Sequence, residues 1–400
     1  MKKFCVTAVA AISCALFAAD YSLEKCNTVK VWRLTREIRR SASGKAYKFD
    51  GKEKAMRFDG PAIIVTRMFR EIPAVSGVKL DKKFTGLAFK VKGCGVDEWG
   101  CITISGGPMK SGSFYFSVKD TNWREIRVPF SQLAPANDYN MEFNELSAIE
   151  VSEIVVGDRW RIREGNTDIK PFYCLIKDIR LTDDVFPAPA KHAPAKFENV
   201  IAKMKAGKKV QILCVGDSIT AGTSLKMRET ERYGAQLEKL LQKHFKNPGI
   251  KVRVCGVGGA HTFNSLVWQE RDLAGEIPDV ATMLIGYNNR SSCQTVEQYK
   301  QQLKLWIDRL AEKTGGKTAV VLIPTVPGIP RFYAQRDLAD ATRELAKEMK
   351  LPVADIEKWI LTLPPMEYRE KYLADSVHPN PAGHKKYAEI LADIFIRQAK

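Results

Sequence analysis

The stretch VQILCVGDSIT, residues 210–220, is a continuous apolar run that ends in glycine and passes directly into a polar segment. Similar runs of strand length recur toward the end of the sequence: KVRVCGV, VATMLIG, TAVVLIP and PVADI. Between them apolar residues keep helical spacing, as Tyr233, Leu237 and Leu241 do after the first run. Uninterrupted apolar strands that alternate with amphipathic helices predict a parallel sheet with helices on both faces.

Polar or glycine-rich segments stand where ligands bind in such a sheet, outside the carboxyl ends of the strands. Three follow apolar runs and a fourth precedes the last predicted helix: residues 216–220, 256–260, 286–289 and 375–380. Each alone has a simpler explanation, because Asp217 or Asn288 can cap a helix and Gly259 can permit a turn. Together, at one rim of one sheet, they predict a functional site.

The four segments resemble, in order, the sequence blocks of the SGNH or GDSL hydrolases. GDSIT matches the nucleophile block, GVGGA the glycine block, GYNN the GxND block and DSVH the DxxH block. The resemblance runs from about Lys208 to the end of the sequence. It implies a three-layer, flavodoxin-like α/β fold and ester hydrolysis. Asn289 stands where the family usually has aspartate, which is a departure at a supporting position.

The residues of these segments also predict a reaction. A serine hydroxyl needs a base within hydrogen-bond reach, and that base needs an orienting acceptor. Ser218 is the predicted nucleophile, His378 the base, and Asp375 the acceptor for the other ring nitrogen. The resemblance implies an oxyanion hole made of the backbone N–H groups of Ser218 and Gly259 and the side-chain amide of Asn288.

Three competing assignments accompany this prediction. Gly256 competes with Gly259, which is preferred because it immediately precedes the Ala-His-Thr stretch. His261 competes with His378 as base but has no carboxylate at short spacing. His384 falls inside the final predicted helix, which indicates a surface or packing role.

The preceding part of the chain has a different pattern. Short β-rich runs such as AIIVTRMF, GLAFKVKG and SFYFSVKD recur between turn residues and predict an antiparallel sandwich. WREIRVPF and IKDIRL make it resemble the jelly-roll sandwiches found as carbohydrate-binding modules. The predicted organisation is a leader at 1–19, a sandwich at 20–185, a Pro/Ala spacer at 186–197 and a catalytic domain at 198–400.

The role predicted for the sandwich depends on its tryptophans and on the spacer. Trp99 and Trp160 lie in loop-like segments and are candidates for stacking on sugar rings, whereas Trp123 lies in a strand run that predicts a core position. The alternative is a structural role, as a lid or wall of the esterase site. The spacer is expected to carry few contacts, so that the catalytic half would fold alone.

The leader, MKKFCVTAVAAISCALFAA, combines two lysines, an apolar run and terminal alanines. This pattern predicts a signal peptide and a secreted or periplasmic protein. Ser13-Cys14 leaves lipoprotein anchoring as a second option. No other stretch reaches the roughly 18 apolar residues that span a bilayer, so no transmembrane segment is expected in the mature chain.

The number and spacing of the cysteines limit which disulfides and metal sites can be expected. Seven of the nine cysteines lie outside the leader, and an odd number leaves at least one thiol free. Cys94 and Cys101 flank the predicted loop GVDEWG and are candidates for a disulfide. There is no CxxC pair and no histidine cluster with ligand spacing, so neither a metal nor a cofactor is expected.

The net charge of +17 is shared about equally by the two halves of the sequence. A nucleic-acid reader would concentrate such charge in one stripe, so none is expected as a partner. The favoured hypothesis is an exported serine esterase that removes O-acetyl groups from an acylated poly- or oligosaccharide, with anionic glycans as one candidate class. An esterase or lipase for non-carbohydrate esters and a non-catalytic glycan-binding protein are the alternatives.

Overall fold

The computed structural model describes residues 20–30, 32–37, 46–60, 62–66, 84–105, 111–135, 153–157, 170–187, 189–292 and 294–399. The predicted leader, Trp160 and Cys293 lie outside these residues. The fold class predicted from the sequence is confirmed, since an all-strand half precedes an α/β half with a parallel sheet.

In the described residues of the first half, antiparallel strands form two six-stranded sheets. The strands are β1 (Asp20–Glu24), β2 (Trp32–Glu37), β3 (Tyr47–Asp50), β4 (Ala55–Gly60), β5 (Ala62–Thr66), β6 (Gly86–Lys92), β7 (Trp99–Ser105), β8 (Ser111–Ser117), β9 (Arg124–Pro129), β10 (Ala134–Pro135), β11 (Glu153–Val156) and β12 (Phe172–Thr182). One sheet has the order β3-β4-β12-β6-β9, with β1 paired to β12, and the other has the order β10-β8-β7-β11-β5-β2. Their facing side chains form one core that includes Phe58, Phe89, Phe116 and Ile176.

The second half is built on four parallel strands in the order β14-β13-β15-β16. The strands are β13 (Val210–Gly216), β14 (Ile250–Gly256), β15 (Val280–Leu284) and β16 (Ala319–Ile323). Every residue of β15 and β16 is buried, as expected for strands covered on both faces. Val353 adds a parallel bridge to Leu322, which completes the strand order of a flavodoxin-like sheet.

Ten helices accompany this sheet. They are α1 (Phe197–Lys205), α2 (Ser218–Ala221), α3 (Arg228–Glu231), α4 (Tyr233–Phe245), α5 (Thr262–Leu273), α6 (Val296–Lys313), α7 (Arg336–Met349), α8 (Ile356–Ile360), α9 (Pro365–Tyr372) and α10 (Pro381–Arg397). Residues from α1, α4 and α10 pack on one sheet face with Ile212 and Cys214, and residues from α5, α6 and α7 pack on the other with Leu213 and Val215. The result is the predicted three-layer arrangement. In the parts of the chain that the structure covers, no helix is both long and apolar enough to cross a membrane.

The two halves share a hydrophobic cluster. Cys101, Tyr115 and Ala134 of the sandwich belong to the same buried cluster as Leu266 of α5 and Trp306 of α6. This cluster joins the halves although the spacer at 186–195 is largely exposed. Side chains distant from the spacer therefore bury a common interface, and the independent folding of the catalytic half stays a prediction.

A buried cation reinforces the interface. Arg309 of α6 donates from Nη2 to the carbonyl oxygens of Ser131 and Leu133, at 2.8 and 2.9 Å. Burial lowers the pKa of this guanidinium to about 10, an effect that nearby Glu312 partly offsets. Two backbone carbonyls of the sandwich thus accept hydrogen bonds from the α/β half.

The proposed disulfide between Cys94 and Cys101 is wrong, since neither sulfur is bonded to another cysteine. Cys101 lies in β7 and faces the shared cluster, whereas Cys94 packs against the sandwich core and accepts the Tyr173 N–H. Cysteines that face different clusters cannot approach bonding distance.

The tryptophans also depart from expectation. Trp99 begins strand β7 instead of lying in a loop, and it packs against the shared cluster. Trp123 is not a core residue: it is partly exposed, donates from Nε1 to Glu53 at 2.8 Å and carries the Lys177 ammonium 3.9 Å from its ring centre. The Lys177 ammonium thus occupies one face of the Trp123 ring.

Candidate active site

The candidate site is built where β13 passes into α2. Gly216 ends the strand, Asp217 caps the helix by accepting the Ile219 N–H at 3.0 Å, and Ser218 is the first helical residue. A Cβ atom at Gly216 would lie 2.2 Å from the Leu284 carbonyl oxygen, so only glycine fits this turn. The strand end therefore projects Ser218 at the carboxyl rim of the sheet, the position predicted for it.

Three of the predicted side chains form a continuous hydrogen-bonded chain. Ser218 Oγ lies 2.9 Å from His378 Nε2, and His378 Nδ1 lies 2.8 Å from Asp375 Oδ2. The serine is almost fully buried, whereas the aspartate side chain is about half exposed (51%). This arrangement can move a proton from a serine hydroxyl to an oriented imidazole.

A local turn holds the acid and base together. Asp375 Oδ1 accepts the backbone N–H groups of Val377 and His378, both at 2.7 Å, while its other oxygen faces the imidazole. Partial burial acts to raise the pKa of the Asp375 carboxyl, but the hydrogen bonds from His378 and Val377 outweigh it, and the pKa lies below its ordinary value. The carboxylate is therefore charged and aligned at neutral pH.

Asp217 has the opposite environment. Complete burial raises the pKa of its carboxyl to about 7, although the Ile219 N–H and the nearby His378 act to lower it. Two carboxyl groups of one site thus titrate in different ranges: Asp375 is the charged partner of the imidazole, and Asp217 is a buried cap.

The glycine segment follows β14, whose last residue, Gly256, pairs with Gly216 at the end of β13. Gly259 adopts a left-handed backbone conformation with φ 73°, which favours glycine. Asn288 reaches the same segment and donates from Nδ2 to the Ala260 carbonyl oxygen at 3.0 Å. Gly256, the competing glycine, ends β14, where a Cβ atom would lie 2.3 Å from the Ala221 backbone nitrogen. Its role is to let α2 pack closely on the sheet.

The other two histidines have structural positions. His261 is the N-cap of α5, and its backbone N–H is bonded to Asn264 Oδ1 at 2.8 Å. His384 is fully buried in α10, where its Nδ1 accepts the Tyr233 N–H at 3.2 Å and burial lowers its pKa to about 3. Of the two roles left open for His384 by the sequence, surface or packing, its burial supports packing.

Several residues of this region escape sequence reasoning. Ile329 donates its backbone N–H to the Ser376 carbonyl oxygen at 2.8 Å, which brings the loop after β16 onto the turn that contains Asp375 and His378. Gln335 donates to the Tyr287 carbonyl oxygen at 3.0 Å, and the Arg331 guanidinium lies 5.7 Å from the Tyr287 ring centre. The only signal of these residues in the sequence was that they follow a predicted strand.

Asn289 is buried beneath this rim. Its Nδ2 donates to Thr262 Oγ1 at 2.8 Å and to Gln294 Oε1, and Thr262 Oγ1 donates to Gln302 Oε1. The departure from the usual aspartate thus coincides with a network of neutral polar groups. Among the residues that the structure describes, no group of three or more His, Cys, Asp or Glu residues is arranged to hold a metal ion.

Comparison with known proteins defines the class. Residues 214–386 match the model of the GDSL-like Lipase/Acylhydrolase family. An acetylxylan esterase of Xylanibacter ruminicola is 28% identical over 210 residues, covering 46% of this chain and 42% of that protein. The chain thus matches less than half the length of this relative. The match over residues 214–386 confirms the resemblance drawn from four short segments.

Two of the solved structures that align with part of this chain are esterases. A two-domain esterase active on acetylated mannans aligns with a TM-score of 0.42 and 22% identity, covering 51% of this chain and 53% of that chain. Axe2, an acetylxylan esterase from Geobacillus stearothermophilus, aligns with a TM-score of 0.38 and 22% identity, covering 48% of this chain and 94% of that chain.

Proposed function

We propose that this protein is an exported serine esterase that removes O-acetyl groups from a glycan. The observation that carries the proposal is the chain of two hydrogen bonds from Ser218 through His378 to Asp375. The acetylxylan esterase relative supports acetylated carbohydrate as the substrate class. Residues 1–19 begin with two lysines, continue with an apolar run and end in two alanines, and this order supports export.

In the proposed reaction, Ser218 Oγ attacks the acetyl carbonyl carbon while His378 Nε2 accepts the hydroxyl proton. The new C–O bond gives a tetrahedral oxyanion, and its collapse expels the sugar oxygen, which takes the proton from the imidazolium. Water then attacks the acetyl-serine with His378 again as base, which releases acetate and restores the serine. Asp375 keeps Nδ1 protonated and stabilises the imidazolium.

The oxyanion needs donors that are in place before its charge develops. We assign this role to the backbone N–H groups of Ser218 and Gly259 and to the Asn288 amide. One Nδ2 hydrogen of Asn288 is bonded to Ala260, so the amide is oriented while the other hydrogen remains for the substrate. In related chemistry, removing one such donor costs roughly 3–4 kcal/mol of transition-state stabilisation.

We assign the sandwich a structural role as a support of the esterase half. The shared cluster and the buried Arg309 favour this role over a freely tethered module. In the described part of the sandwich, Trp32 is buried in the core, Trp99 packs at the shared cluster and Trp123 is covered by Lys177. These positions argue against a tryptophan platform for sugar there.

Acetate release from a panel of acetylated glycans tests the proposal. The panel contains neutral and acidic polymers, and long-chain aryl esters serve as competing substrates. We expect acetate release from at least one glycan, weak turnover of long acyl chains, and loss of both activities in Ser218→Ala. Preference for long acyl chains would instead indicate a lipase, and glycan binding without turnover would indicate a non-catalytic binding protein.

A further inference from the structure

Two adjacent asparagines connect the loop after β15 to the glycine segment. Asn288 donates to the Ala260 carbonyl oxygen at 3.0 Å, and Asn289 donates to the Thr262 hydroxyl at 2.8 Å. Ala260 and Thr262 lie one and three residues after Gly259. Two consecutive side chains of one loop therefore fix two points of the segment that presents the Gly259 N–H.

The hydrogen bonds of Asn289 belong to a buried network in which Asn289 donates to Thr262 Oγ1 and Gln294 Oε1, and the Thr262 hydroxyl donates onward to Gln302 Oε1. The four residues are between 0% and 6% exposed. Buried polar groups so connected restrict the loop and the start of α5 to one arrangement. Gln302 extends the restraint to α6.

We propose that Asn289 is a positioning residue for the oxyanion hole. It acts through Asn288, its neighbour in the chain, and through Thr262 at the start of α5, and it holds the Asn288 and Gly259 donors at a fixed separation. This inference rests on the proposed function, since it assumes that these donors receive a developing negative charge. Donors that drift by about 1 Å lose much of their catalytic effect.

The identity of residue 289 fits this role. An amide supplies two hydrogens, and in this network both have an acceptor within the protein. An ionised aspartate at the same place would supply none and would bury a charge beside the Gln294 carbonyl oxygen. The replacement of the family's usual aspartate by Asn289 is thereby matched by side chains that accept its hydrogens.

The first test removes one hydroxyl and leaves the shape unchanged. Thr262→Val eliminates the contact with Asn289 and Gln302, and Thr262→Ser retains the hydroxyl. With 4-nitrophenyl acetate we expect Thr262→Val to lower kcat by roughly 10- to 100-fold with KM nearly constant, and Thr262→Ser to restore most of kcat. The Ki of phenylboronic acid, which forms a tetrahedral adduct with serine, should rise by a similar factor.

A matched control separates positioning from stability. Thr318 is also fully buried and donates its hydroxyl to the Pro278 carbonyl oxygen at 2.6 Å, directly before the amino end of β16. Thr318→Val should therefore lower the free energy of unfolding without changing kcat. If both valine variants lose kcat in proportion to their loss of stability, the network has only a structural role and the proposal is wrong.

A double-mutant cycle tests the route of action. Asn289→Leu should lower kcat in the wild-type background, and its effect should shrink in an Asn288→Ala background because the donor it positions is absent. Full additivity, or a folded Thr262→Val enzyme with kcat within twofold of wild type, would overturn the proposal. If Asn289→Leu does not fold, the Thr262 pair decides alone. Failure of the proposed function is distinct, because wild-type turnover would then be absent or independent of Ser218.

Discussion

Asp375 and His378 are joined by a turn that their own sequence specifies. Their separation of three residues lets one carboxylate oxygen accept two backbone N–H groups while the other meets the imidazole. Because this geometry is local, the acid–base pair could be predicted from DSVH alone. Its partner Ser218 could be predicted because parallel strands bring their carboxyl ends to one rim.

The exposure of Asp375 sets the size of its contribution. Asp375→Asn should turn an amide N–H toward His378 Nδ1 and favour the wrong tautomer, which lowers kcat for 4-nitrophenyl acetate. Because the carboxylate is half exposed, we expect a smaller loss than the roughly 10⁴-fold found for a buried triad aspartate. Steady-state kinetics across pH 6–9 measures it. An unchanged kcat would reduce the triad to a Ser218–His378 pair.

Asp217 should make stability depend on pH. Burial raises the pKa of its carboxyl to about 7, whereas an unfolded aspartate titrates near 4. Between about pH 4 and pH 7 the folded chain keeps a proton that the unfolded chain loses, so this contribution is present at low pH and is lost as pH rises through 7. Asp217→Asn stays neutral and retains an acceptor for the Ile219 N–H.

Urea unfolding of wild type and Asp217→Asn at pH 4, 5.5, 7 and 8 measures the effect. The free energy of unfolding of the wild type should fall relative to the variant from pH 4 to 7 and then level. If the difference in the free energy of unfolding between wild type and Asp217→Asn is constant with pH, or grows in favour of the wild type, Asp217 is not held protonated.

The network around Asn289 could not be predicted in the same way. Thr262 and Gln302 are 40 residues apart and meet only because α5 and α6 pack on the same sheet face. Sequence spacing carries no signal for such a contact. Two choices left open by the sequence, Gly256 against Gly259 and His261 against His378, had the same origin, because they depended on backbone conformation and packing.

At the level of elements, periodicity predicted which strands and helices form but not which partner each face would meet. Strand β7 illustrates this: Trp99 and Cys101 lie on a strand whose second face is covered by the α/β half. Alternation along the strand is compatible with solvent or with another domain on that face. The errors about Trp99 and the Cys94–Cys101 disulfide follow from that ambiguity.

The contact between α6 and the segment just before β10 depends on Arg309. Arg309→Met should keep the apolar contact but leave the carbonyl oxygens of Ser131 and Leu133 without these donors, which we expect to cost about 2–4 kcal/mol. Lys304→Met on the same helix is the control, because its ion pair with Asp308 is exposed and should contribute under about 0.5 kcal/mol. Denaturant unfolding measures the free energy of unfolding of both variants. Equal losses of stability in the two variants would mean that Arg309 does not anchor the halves.

For the whole molecule, the shared cluster changes the expected result of dividing the chain. A fragment that begins at Lys196 would expose the faces of α5 and α6 that now meet Cys101, Tyr115 and Ala134. We expect this fragment to be less stable than the full chain and to lose activity on small esters. Thermal unfolding and 4-nitrophenyl acetate turnover test this, with the full chain cleaved by protease in the spacer as the control. A stable, fully active fragment would restore the picture of a separable targeting module.

The central claim is that Ser218 attacks the ester with His378 as its base, and the most direct measurement is the hydrolysis of 4-nitrophenyl acetate by Ser218→Ala. Ser218 is almost fully buried, and the change removes one oxygen without enlarging any side chain, so the fold should persist by circular dichroism. We predict turnover at the background rate in Ser218→Ala, a nearly equal loss in His378→Ala, and substantial hydrolysis by the wild type. A folded Ser218→Ala protein that retains more than a small fraction of wild-type kcat/KM would contradict the account.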